Sequence, residues 1–586
     1  MTQEEELDLR FLAAVRELPG GTAGTGDLGA PVRAGTGLTG EQALALFDAQ
    51  AGSRHLDLAA RYLRAEGHGF YTIGSAGHEA DAAVAAALRW SDPALLHYRS
   101  GAFYLARAAQ VPGSQPLRDV LLGLVGASDE PIAGGRHKVF GHHGLAIIPQ
   151  TSTIASHLPR AVGIAFSIGR AAKLGVPSAW PADAITVASF GDASASHSTA
   201  AGAIGAACRT AYQGLPMPLL LVCEDNGLGI SVRTPDGWVA AAHSGRPALR
   251  YFSADGRDPA ACFDAAAAAA AHVRASRSPA FLHLKVVRFL GHAGSDAEIG
   301  YRGQAEIAAQ YARDPLLGTA RLIVAASLLG PEQVARRYEA LRARVRLIAE
   351  EAVTHRRLAS RAEVTGPLAP RHPGPVERRA ARAASPAARS HAFGRGLPEE
   401  AGPLTLADTI NRGLADALAG YPELIVFGED VGRKGGVYGV TRGLARRFGV
   451  GRVFDTLLDE QAILGLGLGA GISGLVPVPE IQYLAYLHNA EDQLRGEAAS
   501  LQFFSSGQYR NPMVVRVAGL AYQKGFGGHF HNDNAVGVLR DIPGLVVAVP
   551  SRAQDAAPML RTCLAAAHVD GAVCVFLEPI ALYHTR

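Results

Sequence analysis

The chain has 586 residues, too many for one hydrophobic core, so two to four domains are expected. Its formal net charge of +3 leaves no footprint for nucleic acid or an anionic membrane, and a hydrophobic content of 48% is that of an ordinary globular protein. The five cysteines lie far apart without a CxxC metal pattern and read as small buried hydrophobes in a reducing cytoplasm. The acidic start Met-Thr-Gln-Glu-Glu-Glu-Leu-Asp is no signal peptide, and no uninterrupted apolar run is long enough to cross a bilayer.

In chain order, residues 1–40 read as a flexible arm, rich in Gly, Thr, Ala and Pro from Pro19 onward. Residues 41–354 alternate Ala-rich helical segments with short apolar strands at Ile185–Phe190, Leu219–Cys223 and Ala280–Val287, the pattern of a doubly wound parallel sheet. Gly330 to Val353 forms the terminal amphipathic helix of that region. Residues 355–403, dense in Arg, Ala and Pro without periodicity, read as a linker. A second α/β pattern fills 404–586, with strands at Leu424–Phe427, Val476–Ile481, Pro512–Val517, Leu545–Val549 and Ala572–Glu578.

Two strands of the first region end in polar groups, one in Gly191-Asp192-Ala193 and the other in Glu224-Asp225-Asn226-Gly227. Open α/β sheets bind ligands at such strand ends. An acid and an amide offer hard oxygen donors, and Mg²⁺ takes few of these from protein and the rest from phosphates. Tyr98-Arg99-Ser100-Gly101 adds a planar guanidinium suited to phosphate oxygens. After the third strand, His292 sits in a Gly-flanked loop with Arg288 before it and Ser295-Asp296 and Tyr301-Arg302 after it.

Together these motifs resemble the α-type chain of the thiamine diphosphate-dependent E1 component of 2-oxo acid dehydrogenases, in the transketolase-like superfamily. The resemblance implies that Tyr98 and Arg99 contact the cofactor diphosphate. Upstream, Tyr71 and Gly77-His78-Glu79-Ala80 match a family Gly-Gln-Glu-Ala segment, with His in place of Gln. Ile148 to Pro159 resembles the branched-chain type; by that match Ser152 faces the diphosphate and Ile154 holds the cofactor bent. Thr151, Thr153, Ser156 and His157 occupy positions that hold K⁺ in some members, and ordinary helix capping is the alternative. Asp192, Asn226 and the carbonyl of Leu228 would bind Mg²⁺, with Gly191 and Ala193 beside the cofactor. Ala193 replaces a glycine, Leu228 an aromatic residue, and the segment between Asp192 and Asn226 is longer than usual. His292 would approach the cofactor in a loop that Arg288 orders.

The second region repeats the resemblance with a different motif set. Phe427-Gly-Glu-Asp-Val-Gly432, Gly435-Gly-Val-Tyr438, Arg452-Val-Phe-Asp-Thr456 and Asp459-Glu460-Gln461 are similar to the β-type pyrimidine-binding domain. The match gives Glu460 the catalytic role of promoting the aminopyrimidine imino tautomer. It puts Gln482 and Tyr486 against the pyrimidine, and gives His531 a part in proton transfer or in the acyl-transfer step. Two doubly wound thiamine diphosphate-binding domains in α-then-β order imply a fused E1 chain, acting as a homodimer on a small, branched-chain-type 2-oxo acid and passing the acyl unit to a lipoylated E2 partner. A non-oxidative thiamine enzyme and a catalytically impaired assembly subunit are the alternatives. The second is raised by Ala193 and by the absence, before Arg586, of the third domain that follows in β chains.

Overall fold

The computed structural model describes residues 3–20, 24–70, 73–136, 139–394, 396–521 and 527–586, so Tyr71 lies outside the described residues. In chain order the framework begins with helices α1 (Gln3–Arg16) and α2 (Gly40–Ala65), strand β1 (Ala94–Leu95), helix α3 (Leu158–Leu174), β2 (Thr186–Gly191), α4 (Ser198–Tyr212) and β3 (Leu219–Asp225). Strand β4 (Arg250–Asp255), α5 (Pro259–Ser276), β5 (Ala280–Lys285) and α6 (Pro331–Ala352) follow. The remaining elements are β6 (Leu424–Gly428), β7 (Val453–Asp455), α7 (Glu460–Ile472), β8 (Val476–Ile481), β9 (Met513–Gly519), β10 (Val546–Ala548), α8 (Ala553–Asp570) and β11 (Val573–Pro579).

These elements form two compact units that do not follow chain order. The first comprises 1–155, 184–201 and 208–363; the second takes Ser156–Asp183, Gly202–Ala207 and everything from Val364 onward. The first unit holds a parallel sheet in the order β1-β2-β3-β5-β4. Every residue of β2 and β3 is buried, which is why both read as continuous apolar runs. Helix α2 starts at a reciprocal cap: Thr39 accepts the Gln42 amide N–H and the Gln42 side chain accepts the Thr39 N–H. Within the stretch expected as a loose arm, helix α1 is docked. Leu7, Phe11, Leu12 and Val15 of α1 are buried, because four apolar groups at helical spacing find a surface to cover.

The second unit holds a parallel sheet in the order β10-β11-β9-β8-β6-β7. Helix α3 packs on α7 through backbone contact. A Cβ added at Gly465 would stand 2.1 Å from Pro159 Cβ, and one at Gly163 would stand 2.4 Å from the Gly465 carbonyl oxygen. The glycine repeat of α7 is therefore the condition for that approach. The stretch expected as a bare linker carries helices at Arg361–Thr365, Pro373–Ala381 and Pro386–Phe393. It is also tied down: His372 pairs with Asp570 at 2.7 Å, and Arg379 stacks 3.8 Å from the Tyr421 ring centroid. No helix among the described residues is long and apolar enough to cross a membrane.

Candidate active site

In the first unit a cleft opens at the C-terminal ends of β1, β2 and β3. Its lining includes Tyr98, Arg99, Ile154, Gly191, Asp192, Ala193, Asn226, Leu228, Arg288 and His292. Most of the residues singled out from the sequence thus converge. Asp192 caps β2, is 1% exposed, and accepts hydrogen bonds from the Asn226 N–H at 3.3 Å and from the Thr234 hydroxyl. Helix α4 lies in the long segment between Asp192 and Asn226, and the two strand ends still meet. Burial raises the Asp192 pKa above the usual carboxylate value, against the Thr234 hydrogen bond that lowers it. The Asn226 side-chain oxygen accepts from the Leu228 N–H at 3.0 Å.

Ala193 replaces the expected glycine without strain: its φ of −65° and ψ of −34° are ordinary helical values. Its methyl group takes up the space that a side chain at Gly229 would need, since a Cβ there would fall 2.5 Å from Ala193 Cβ. The alanine is thus accommodated by a bare backbone opposite it. The donor set fits a hard divalent cation: a buried carboxylate, an amide oxygen and the adjoining turn carbonyls, with Arg99 present for phosphate charge.

Arg99 and the His292 loop are joined. One Arg99 nitrogen donates to the Gly74 carbonyl at 2.5 Å; the other reaches the His292 carbonyl at 2.9 Å and His292 Nδ1 at 3.2 Å. A guanidinium can only donate, so Nδ1 accepts and Nε2 carries the proton. Burial, then the nearby Arg99 and Arg288 charges, bring the His292 pKa down to about 4, so the ring is neutral at pH 7. Asp296 anchors the loop by accepting the His292 N–H at 2.7 Å and the Tyr301 hydroxyl. Arg288 donates to the Ile230 carbonyl and to the Tyr301 hydroxyl, both at 2.7 Å, so it ties the loop to the neighbouring turn.

Beneath the cleft lies a buried layer that the sequence motifs only partly signalled. Arg54 pairs with Glu79 at 2.6 Å and Asp314 at 2.9 Å, with almost no exposure of any partner. Glu79 in turn accepts the Gly77 N–H at 2.7 Å and so fixes the turn that carries His78. His78 Nδ1 lies 2.6 Å from Glu224 and Nε2 lies 2.9 Å from the Asn226 amide nitrogen. Burial, against the Glu224 hydrogen bond and charge, lowers the His78 pKa to about 4. His97, Glu224 and Thr234 were missed as site residues. Thr234 and Asp192 are 42 positions apart with no pattern linking them, and only the fold brings them together.

Not every expected residue reaches the cleft. Ser152 is exposed in the turn before Ile154 and is not among the lining residues. The four residues matched to a K⁺ site are divided between the two units. Thr151 and Thr153 sit in a partly to fully exposed turn of the first unit, with the Thr153 N–H bonded to Thr151 Oγ1 at 3.2 Å. Ser156 and His157 belong to the second unit, where the Ser156 hydroxyl donates to Glu497 at 2.5 Å.

In the second unit Glu460 is the first residue of α7, directly after the cap Asp459, whose side chain accepts the Gln461 and Ala462 N–H groups. A carboxylate in a first turn is favoured by the helix dipole. Glu460 is half-buried and accepts from Asn489 at 3.2 Å. Glu429, at the end of β6, is 7% exposed, and burial followed by the charges of Glu460 and Asp430 pushes its pKa up to about 7. Gln482 donates to Asp430 at 3.3 Å. Tyr486 and His531 meet at 3.0 Å, and His531 Nδ1 lies 3.0 Å from the Gly527 carbonyl, so Nδ1 donates and Nε2 accepts the tyrosine proton. The Tyr483 ring packs edge-on against the same imidazole at 4.6 Å.

Comparison with known proteins agrees with both halves. Residues 50–359 match the dehydrogenase E1 component family, and residues 403–584 match the transketolase pyrimidine-binding domain. Over 187 residues the chain is 37% identical to a pyruvate dehydrogenase E1 component subunit beta of Staphylococcus epidermidis, covering 31% of this chain and 54% of the relative. It is 39% identical to a 3-methyl-2-oxobutanoate dehydrogenase subunit beta of Mycobacterium tuberculosis, covering 31% and 51%, respectively. The corresponding Bacillus subtilis pyruvate dehydrogenase subunit is 35% identical with 31% and 54% covered. The chain spans about half the length of these curated relatives. With one family model covering more than half of its residues and the pyrimidine-binding model following it, the chain belongs to the dehydrogenase E1 component family, with α-type and β-type regions fused.

Proposed function

We propose that the protein is a thiamine diphosphate- and Mg²⁺-dependent E1 enzyme that decarboxylates a 2-oxo acid oxidatively and passes the acyl unit to the lipoyl group of an E2 partner. The observation that carries this reading is the convergence of Asp192, Asn226, Tyr98, Arg99 and His292 on one cleft. Residues 41–354 supply the diphosphate and metal face in this reading, and residues 404–586 the pyrimidine face. When bound, thiamine diphosphate supplies an electron sink for decarboxylation.

The chain's own contributions follow from the geometry. Asp192 and Asn226 offer oxygens to Mg²⁺, and with the Leu228 backbone they fix the diphosphate end. Arg99 neutralises phosphate charge while keeping His292 oriented, so that the Nε2–H of a neutral imidazole is available to a developing oxyanion or as a proton source. Ile154 gives the cleft an apolar wall. Glu460 acts as the carboxyl partner of the pyrimidine ring. Tyr486 fixes the His531 ring through Nε2, so proton exchange with the imidazole would pass through the Tyr486 hydroxyl. A homodimer of fused chains is the proposed working form, and the reducing cytoplasm its compartment, in keeping with five unpaired, buried cysteines.

A branched-chain substrate is the preferred class, because the Ile148–Pro159 segment is of that type. Calorimetry tests cofactor binding: thiamine diphosphate should bind only weakly without Mg²⁺. A dye-reduction assay comparing 2-oxoisovalerate, pyruvate and 2-oxoglutarate tests the reaction, for wild type and Glu460→Gln. We expect 2-oxoisovalerate to be the best substrate and the variant to lose about 100-fold or more in rate. Equal rates in the two proteins, or aldehyde release with no reduction of a lipoyl domain, would sink the reading.

A further inference from the structure

The metal-ligand pair of the proposed cofactor site is attached to a hydrogen-bond chain that the functional reading does not use. Glu224 is fully buried at the end of β3 and accepts from His78 Nδ1 at 2.6 Å and from the Ser100 hydroxyl at 2.9 Å. On the far side of the same imidazole, Nε2 lies 2.9 Å from the Asn226 side-chain nitrogen. That amide cannot be turned over, because its oxygen already accepts the Leu228 backbone N–H at 3.0 Å. Its nitrogen must therefore donate, His78 Nε2 must accept, and Nδ1 must carry the proton that goes to Glu224.

We propose that His78 is a positioning residue: locked in one tautomer by Glu224, it clamps the Asn226 amide so that its oxygen stays available to Mg²⁺. The inference rests on the reading of Asn226 as a metal ligand. It explains how a histidine can stand where the family pattern has glutamine. A glutamine side chain also has one acceptor and one donor, and can serve Asn226 and the carboxylate together. His97 Nδ1 lies 3.8 Å from the same Glu224 oxygen, and His78, His97 and Glu224 could be taken for a transition-metal site of their own. The tautomer speaks against that, since the His78 nitrogen facing the carboxylate carries the hydrogen that a metal would have to replace.

The test is calorimetric titration of Mg²⁺ into the full chain at saturating thiamine diphosphate, for wild type, His78→Met and His78→Gln. Metionine and glutamine have the same length and differ in the amide. Loss of an outer hydrogen-bond partner of a metal ligand costs about 10–100-fold in affinity, and this is the weakening expected for His78→Met. His78→Gln should recover to within about threefold of wild type. The rate at saturating Mg²⁺ should stay within about twofold in the Met variant, so that the defect shows in the metal half-saturation and not in turnover. If the Met variant does not melt cooperatively without ligand, His78→Asn replaces it, because its shorter amide cannot reach both partners. Equal Mg²⁺ affinity in wild type and the Met or Asn variant would overturn the inference. So would a loss of turnover at saturating metal that Gln fails to rescue, or one tightly held transition-metal ion per chain by elemental analysis. Failure of wild type itself to bind Mg²⁺ with thiamine diphosphate would instead defeat the functional reading beneath it.

Discussion

The His292 cleft of the first unit and the Glu429 corner of the second bury charge in different ways. Around the cleft of the first, several charges are paired: Arg54 with Glu79 and Asp314, Glu224 with His78, Asp296 with Tyr301 and the His292 backbone, while burial and the charges of Glu224 and Glu79 push the Asp81 pKa up. His78 and His292 are held neutral, both with a pKa of about 4. In the second, Glu429 is crowded by Glu460, Asp430, Glu480 and Asp459, and keeps its proton to about pH 7. Paired charges in low dielectric give a rigid donor set, whereas crowded like charges give a group poised to exchange a proton. In the proposed reading, the cleft of the first unit holds a cation and its phosphates, and the Glu429 corner of the second handles a proton.

The sharpest way to break that comparison is to remove one carboxylate from each side. Asp192→Ala should abolish Mg²⁺-dependent calorimetric heat at millimolar metal, whereas Glu460→Gln should keep that heat while losing turnover. If both variants lose metal binding, the division of labour is wrong. Next in size is Arg54→Met, which leaves Glu79 and Asp314 buried without a cation; breaking such a network costs about 3–5 kcal/mol. Denaturant unfolding checks it, and a cost under about 1 kcal/mol would show that the buried layer is not a charge network.

Glu429→Gln tests the crowded side through pH. The folded-state pKa of about 7 lies above the ordinary 4.5, so between these values the folded form binds more protons than the unfolded one, and stability falls as pH rises. The variant should match wild type near pH 4.5, gain on it up to pH 7, and keep a constant lead above that. A constant offset across the whole range would mean that Glu429 is not titrating in that window. The smallest effect is expected for Ala193→Gly. Alanine is unstrained there, so the variant should lose under about 1 kcal/mol of stability through backbone entropy and bind Mg²⁺ as wild type does. A large gain in metal affinity would show that the alanine impairs the site.

The sequence made the central strands legible because they are buried on both faces, and the site because its residues sit where those strands end. The elements it hid are β1, β4 and β7. They have two, six and three residues, and β4 and β7 are partly exposed, so their apolar pattern is weak. The Arg-rich stretch after Val353 looked structureless by composition, yet cation–π and ion-pair contacts to distant residues order it. Cleft-lining residues carried by a contiguous motif, such as Arg99 and His292, were readable. Thr234 and His97 were not, because their part depends on contacts across the fold. Ser152 shows the converse: a hydroxyl at the matching position is exposed in this structure.

The helix α3, encoded in the first half of the chain but seated on α7 in the second unit, bears on why the halves travel together. A polypeptide starting at residue 404 would lack α3 and leave the glycine-lined side of α7, the helix that begins with Glu460, open to water. Two separate polypeptides would have to find each other at cellular concentration before that seam closed. Joined in one chain, they close it as an intramolecular event that does not depend on the concentration of either half. Fusion thus makes the supply of this helix independent of the balance between two gene products.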